Sequence, residues 1–387
     1  MKISKNKMNQ LRRFLSEVHT AGEIYKQNID EKLNVCLGNV SCDMDSAVGA
    51  ILLAYYLTHK NEYFGDYGNY EIFYVPVINC PRAELVARID IRHHFESYGI
   101  DLKNLVFIDD LDLNHYSNNK ILNLALIDHN KLDYSQQAWD NSVTFVLDHH
   151  VDLKAYPNAN KVIEFCGSAC SMAINSIFKN NLHEILTKEI CQFFSAAIII
   201  DTENFKPTLK GTKWSQIDED AFLQINRIAF LDNYNELINL KTDRKANIEL
   251  GLDLILKKDY KNYQWKNCVA GISVCFNSLH DIMQQFGVEA LKIKLKERMQ
   301  TNNLNIHCII TQIYLKTGEA FREIMIFDPD LDRLQQVSEM FEKKCPYALQ
   351  RKKFTGLKGN FTFFYFKDES VSRKKVEPIF KDIFDTL

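Results

Sequence analysis

The chain has 387 residues, 46% of them hydrophobic and 25% charged, with a net charge of −3. That length allows one large domain or two, and the small net charge argues against a polyanion-binding surface spread over the whole molecule. Ten scattered cysteines without a CxxC pair argue against a zinc ribbon and fit a reduced, intracellular protein.

The basic N-terminus "MKISKNKMNQLRRFLSEVHT" lacks the apolar stretch of about 7–15 residues that a secretory signal needs. The longest apolar run, "FFSAAIII" at 193–200, is too short to span a bilayer, so a cytoplasmic protein without membrane contact is expected. Strands are predicted at 33–39, 70–79, 105–110, 124–130 and 144–150, with helices at 46–59 and 83–98 between them. Near-continuous apolar strands alternating with helices predict a parallel, Rossmann-like sheet covered on both faces.

Helices follow at 167–178 and 186–205, a loop at 206–216, and a helix near 218–230. The polar stretch "NELINLKTDRKAN" (235–247) reads as a linker between a first domain, 1–234, and a second, 248–387. The runs "CVAGISVCF", "NIHCIITQIYL", "REIMIFD" and "NFTFFYF" predict the strands of a smaller mixed α/β domain.

In doubly wound sheets ligands sit beyond the carboxyl ends of the strands. Asp43, Asp45, Asp110, Asp128 and Asp148–His150 all fall there, and Asp201 closes the apolar run "AAIIID". An Asp-x-Asp turn alone is commonly a solvated helix cap. Several aspartates and a histidine at neighbouring strand ends would instead repel unless cations neutralise them. Carboxylates with one imidazole suit Mg²⁺ or Mn²⁺, and the ligand number suffices for two ions.

"NVSCDMDS" (39–46), "DHN" (128–130), "DHH" (148–150) and Asp201 follow in order the four motifs of the DHH phosphoesterase superfamily, which this chain resembles. "LILKKDYKNYQW" with "CVAGISV" looks like the start of a DHHA2 domain, and "SRKKVEP" (372–378) like its terminal phosphate-binding signature. The resemblance covers all but about the first thirty residues. It implies a DHH domain and a DHHA2 domain with the active site in the cleft between them. Within that group, family II inorganic pyrophosphatases begin the first motif with His where this chain has Asn39. Exopolyphosphatases similar to this chain carry Asn there. Prune-type proteins typically carry DHR in place of "DHH" and rank lower.

The resemblance thus implies an exopolyphosphatase, a phosphoric anhydride hydrolase that releases terminal orthophosphate from linear polyphosphate. The runners-up are an inorganic pyrophosphatase and a related DHH phosphodiesterase. It further implies two divalent cations, Mg²⁺ first and Mn²⁺ or Co²⁺ next, held by Asp43, Asp45, Asp128, His149 and Asp201, with Asp128 shared and a water between the ions as nucleophile. His150 is expected at the leaving oxygen, Asn39 near metal or substrate, and Arg373 and Lys374 on substrate phosphates. Asp148 is expected to orient His149, with His129 and Asp109 as weaker supports. The ten Lys and Arg between 343 and 375 form a candidate polyphosphate track, with Lys257, Lys258 and Lys261 as weaker candidates. His93–His94 is expected at the surface. Gly167–Ser168 reads as a helix cap. No nucleic-acid partner is expected, and the chain is expected to be a monomer.

Overall fold

The computed structural model describes residues 10–64, 72–231, 234–266, 268–314, 320–352, 359–368 and 370–387. The chain divides into two compact units that meet at Asn239 and Leu240. The segment 235–247, expected as a linker, is helical, and that division falls inside its first helix.

The first unit runs α1 (Gln10–Gln27), β1 (Leu33–Leu37), α2 (Met44–Phe64), β2 (Val75–Ile78), α3 (Ile89–Ser97), β3 (Val106–Phe107), α4 (Leu113–Asn118) and β4 (Leu122–Ile127). It continues through β5 (Val143–Asp148), β6 (Asn160–Ile163), α5 (Ala169–Lys179), α6 (Lys188–Asp201) and α7 (Gln216–Asn226). Its six strands pair in parallel in the order β3-β2-β1-β4-β5-β6. β1 is buried at every residue, as a central strand covered on both faces must be. α2 is apolar around its circumference because β1, β2, α5 and α6 all pack on it. The strand order reverses between β1 and β4, so the connections that follow them diverge, the place where such sheets form a ligand-binding crevice.

Two departures from the sequence reading matter for the site. The stretch expected as one helix over 83–98 is a 3₁₀ turn at Arg82–Ala87 and then α3, broken at Arg88, whose side chain turns inward. The histidine pair expected at the surface is split. His94 is 1% exposed, stacks on Phe193 and bonds through Nε2 to the Phe193 carbonyl at 2.9 Å, whereas the His93 side chain is 44% exposed. Consecutive helical residues point about 100° apart, so only one of the pair faces the core. Burial pushes His94 down to about 4.

The second unit contains the end of α8 (Asn235–Thr242), then α9 (Arg244–Glu249), α10 (Leu252–Lys257), β7 (Tyr260–Trp265), β8 (Cys268–Cys275), α11 (Leu279–Phe286) and α12 (Val288–Thr301). β9 (Ile306–Thr311), β10 (Ile313–Tyr314), β11 (Ala320–Phe327), α13 (Leu331–Lys344), β12 (Leu349–Lys352), β13 (Phe361–Phe366) and α14 (Arg373–Thr386) complete it. The strands form a mixed sheet, β12-β13-β11-β9-β8-β7, with β10 beside β11 and only the β8–β9 pair parallel among the described strands. Separate apolar clusters cover its two faces. Among the described residues no helix is long and apolar enough to cross a membrane.

Candidate metal centre

The connection from β1 to α2 is packed tightly. A Cβ on Gly38 would lie 2.5 Å from the Ser46 carbonyl oxygen, so only glycine lets the loop lie this close to the first turn of α2. The Asn39 amide donates to Ser46 Oγ at 2.9 Å, and Asp43 Oδ1 accepts from the Ser46 amide at 3.1 Å as the cap of α2. From the next connection, the buried Arg88 guanidinium donates to the Ser41 and Cys42 carbonyls, each at 2.9 Å. These bonds hold the Asp43–Asp45 loop from both sides.

Asp128 stands across the crevice, one residue beyond β4, with φ +63°. Its amide still donates to the Leu147 carbonyl at 3.0 Å, so the left-handed turn follows directly on the sheet. A non-glycine residue in that region is uncommon, and Asp and Asn are the types that tolerate it. Asp128 Oδ2 accepts from Asn39 Nδ2 at 2.5 Å and Ser46 Oγ at 2.8 Å. Its Oδ1 faces His149 Nε2 at 3.1 Å and His150 Nδ1 at 3.7 Å.

Past the end of β5, His149 Nδ1 donates to the Cys166 carbonyl at 2.8 Å, which turns Nε2 toward Asp128 at 3.1 Å and Asp45 at 3.8 Å. His150 Nδ1 lies 2.8 Å from Asp148 Oδ1. Asn130 Nδ2 donates to Asp148 Oδ2 at 2.5 Å and to the Val151 carbonyl at 3.0 Å, joining the β4 and β5 connections. One ligand atom from each of Asp128, Asp148, His149 and His150 falls within 4.8 Å of the others.

Asp45 is clasped by the start of α5. Its carboxylate accepts from Ser168 Oγ at 2.5 Å, the Ala169 amide at 2.7 Å and the Cys170 amide at 3.2 Å. The N-terminal amides of α5, read from sequence as a helix cap, therefore hold the protein's own carboxylate. Burial and neighbouring Asp128 push Asp45 up from its ordinary 3.8 to about 6, against the pull of His149 and Ser168. Burial would raise Asp148 too, but the His150 hydrogen bond and charge prevail and hold it well below the carboxylate range.

The donor set fits divalent cations. Imidazole nitrogen faces buried carboxylate oxygen, and the neighbouring Asp45 and Asp128 carboxylates repel each other in a site that a cation would neutralise. Oxygen and imidazole donors without a thiolate suit Mg²⁺, Mn²⁺ and similar ions. Asp128 and His149, both named from sequence as ligands, lie in the compact group; Asp45 borders it; Asp43 and Asp201 lie outside it. Asp201 ends α6, and its charge reaches Cys170 beside Asp45.

Asn39 is 4% exposed, with its amide oxygen taking the Ser41 amide at 2.9 Å and its nitrogen on Asp128. Its amide thus aims a ligand. Asp109 and Asp110 are spent elsewhere, on the Arg82 amide at 3.0 Å and the Arg82 guanidinium at 2.5 Å. His129 bonds the Ile127 carbonyl. Ser46, Arg88 and Asn130 were not singled out from sequence, and Ser168 only as part of a helix cap. Ser46 and Asn130 sit inside the quoted motifs, whereas nothing local marks Arg88.

In the second unit, Arg373 pairs with Asp259 at 2.7 Å, and Lys374 is exposed. Of the expected basic track, Lys344 lies 2.8 Å from Asp382, Arg351 3.4 Å from Glu342, and Lys375 2.7 Å from Ser370 Oγ. Lys353 and Lys358, and the neighbouring acid Glu369, lie outside the described residues. Lys258 is buried and bonds Asn247 at 2.6 Å, which removes it as a surface candidate.

A pH dependence follows from Asp45. A carboxyl raised in the fold keeps its proton to higher pH than in the unfolded chain. Its contribution to stability is full below about pH 4 and lost as pH rises through about 6. A bound cation would replace the lost proton. Thermal unfolding with and without Mn²⁺ is expected to show a large stabilisation at about pH 7.5 and a small one at about pH 5. Equal shifts at both would contradict this assignment.

Comparison with known proteins adds relatives. The "DHH family, N-terminal domain" matches residues 35–198, and the "DHHA2 domain" matches residues 238–383. Human exopolyphosphatase PRUNE1 is 27% identical over 356 residues, covering 90% of this chain and 75% of that protein. A Schizosaccharomyces pombe protein provisionally named an exopolyphosphatase is 25% identical over 367 residues, covering 89% of each chain. A crystal structure from Methanococcus jannaschii, provisionally described as a family II inorganic pyrophosphatase, shares the fold with a TM-score of 0.59 at 18% identity. It covers 91% of this chain and all of that one. The sequence reading ranked prune-type proteins lower, whereas the human relative's name joins both descriptions.

Proposed function

Because the chain belongs to the DHH superfamily and carries a DHHA2 domain, we propose that it is an exopolyphosphatase, releasing terminal orthophosphate from linear polyphosphate with the help of divalent cations. The observation that supports this best is the buried group of Asp128, Asp148, His149 and His150 beside Asp45, in a chain whose relatives carry the exopolyphosphatase name.

Bound cations, Mg²⁺ first with Mn²⁺ or Co²⁺ as alternatives, would neutralise phosphate charge and acidify an attacking water. Asp128, His149 and Asp45 would hold them, joined by Asp43 and Asp201. Asn39 and Ser46 fix the Asp128 carboxylate, and the Cys166 carbonyl fixes the His149 tautomer. His150, with its side chain 24% exposed, is the member of the group that a substrate can reach. Asp148 stabilises its imidazolium, from which Nε2 would give a proton to the leaving phosphate oxygen. We assign Arg373 and Lys374 to substrate phosphates, Arg373 with its guanidinium already oriented by Asp259.

A second reading, inorganic pyrophosphatase, rests on the fold shared with the Methanococcus jannaschii chain. The test is phosphate release with Mg²⁺ or Mn²⁺ from pyrophosphate, tripolyphosphate and long-chain polyphosphate in parallel. Release from the two longer substrates at least about tenfold faster than from pyrophosphate is expected, equivalent to about 1.4 kcal/mol of transition-state discrimination. Release from pyrophosphate alone would favour the second reading. Hydrolysis of a phosphodiester alone would discard both.

A further inference from the structure

Asp218 lies beyond the last of the four motifs, yet its side chain is fully buried. It sits in the first turn of α7, where it closes a capping box with Ser215 and accepts the Ser215 amide at 2.8 Å. Its other bonds leave the helix. Oδ2 accepts from the Gly167 amide at 2.7 Å, and Oδ1 accepts from the Ser168 amide at 3.2 Å and from Ser171 Oγ at 2.6 Å. A Cβ at Gly167 would lie 3.0 Å from Thr202 Cγ2 and 3.1 Å from Trp214 Cβ, so the strap leading into α5 is closely walled. The successive amides from Gly167 to Cys170 are thus divided between two buried carboxylates, the first pair on Asp218 and the second on Asp45. The Gly167 N–H and the Cys166 carbonyl belong to one planar trans peptide group and point in opposite directions. Asp218 grips one end of that plane, and His149 Nδ1, 2.8 Å from the carbonyl oxygen, grips the other.

We propose that Asp218 is a positioning residue for the cation centre, orienting His149 through the Cys166–Gly167 peptide and Asp45 through the start of α5. The proposal rests on the reading of His149 and Asp45 as cation ligands. Metal-bound histidines commonly donate their second ring nitrogen to a carboxylate or to a backbone carbonyl. Here the two partners are joined in series. Hydrogen bonds in a chain polarise one another, so a carboxylate on the N–H makes the carbonyl at the other end of the peptide a stronger acceptor. That keeps the His149 proton on Nδ1 and leaves Nε2 bare toward Asp128 at 3.1 Å and Asp45 at 3.8 Å.

The same carboxylate fixes the backbone of Ser168, whose Oγ donates to Asp45. His149 follows β5 and Asp45 opens α2, so the two come from separate connections, and Asp218 gives them one common reference. Cation ligands tolerate displacements of only about 0.2 Å, which makes a shared anchor consequential. An asparagine at 218 has a single acceptor oxygen and turns an NH₂ toward the second amide. One of the buried donors at Gly167 and Ser168 then loses its partner, and the strap shifts against both ligands.

The test compares the full-length chain with Asp218→Asn and with Ser171→Ala, which removes another bond to the same carboxylate but leaves the Gly167 and Ser168 amides in place. Mn²⁺ is titrated by thermal stabilisation, and phosphate release from tripolyphosphate is measured at low and saturating Mn²⁺. Histidine-ring ¹⁵N shifts are recorded on the Mn²⁺-free chains at about pH 7.5, with His149 assigned from a His149→Gln variant. Asp218→Asn is expected to raise the Mn²⁺ midpoint about 10–100-fold, to regain kcat within about tenfold at saturating Mn²⁺, and to move part of the His149 rings to the Nε2–H form. Ser171→Ala is expected to melt below the parent chain while keeping the midpoint within about threefold. An unchanged midpoint in Asp218→Asn, or an equal rise in Ser171→Ala, would overturn the positioning role. Should Asp218→Asn fail to fold, the parent chain decides, because a His149 ring protonated on Nε2 overturns the relay and one protonated on Nδ1 supports it. A parent chain that never responds to Mn²⁺ would overturn the cation reading, and the ring shifts then decide the link from Asp218 to His149 alone.

Discussion

Asp128→Asn is expected to lower kcat/KM on polyphosphate by at least about 10³-fold, about 4 kcal/mol of transition-state stabilisation, and to remove Mn²⁺-dependent thermal stabilisation. Asp128 stands between the two halves of the crevice. One oxygen is held by Asn39 and Ser46 from the β1–α2 connection, and the other faces His149 and His150 from beyond β5. A neutral amide keeps the shape and loses the charge. Asparagine also tolerates the φ of +63° at this position, so the fold should survive. With one charge beside Asp45 gone, the cation-free variant is expected to melt a few degrees above the parent chain. A variant that is more stable and inactive separates a lost ligand from a damaged fold. Activity within about tenfold of the parent would remove Asp128 from the centre of the proposal.

The two adjacent histidines are expected to fail differently. His149, 8% exposed, is fixed by the Cys166 carbonyl with Nε2 toward Asp128 and Asp45. His149→Ala should weaken Mn²⁺ binding by at least about 10²-fold, beyond what removal of a merely supporting residue costs, and activity should return in part at high Mn²⁺. His150 is anchored by Asp148 and reaches solvent. His150→Ala should leave the Mn²⁺ midpoint nearly unchanged while kcat falls about 10²–10⁴-fold, the usual worth of a positioned acid. It should also remove the alkaline limb of the kcat profile that reports the imidazolium. Equal loss of Mn²⁺ binding in both variants would mean that both rings are ligands, and the leaving-group role would need another residue.

The strands that carry the site were legible because each is a largely apolar run closing on a polar residue, Asn39, Asp128 or Asp148. β1, β4 and β5 overlap their predicted spans and place Asp128 and Asp148–His150 where expected. β6, β7 and β12 were not predicted. Their sequences "NKVI", "YKNYQW" and "LQRK" are short, mixed in polarity and only partly buried. Each exists because a neighbouring strand offers its hydrogen bonds, which no local period announces.

By itself the sequence determined the fold class and the chemical type of the site. Apolar periodicity follows from burying one face of each element, and a residue's type sets what it can ligate, so both are local properties. Tertiary structure alone decided which charges meet. The strand order sets β4 beside β1 and brings Asn39 to Asp128, 89 residues away, while α5 delivers Ser168 to Asp45 across 123. Arg88 leaves its helix to hold the Asp43–Asp45 loop, and His94 takes the inner side of a pair that reads identically on paper. Partnerships of that kind arise from packing and strand order, which bring distant segments together and leave no periodic trace in either one.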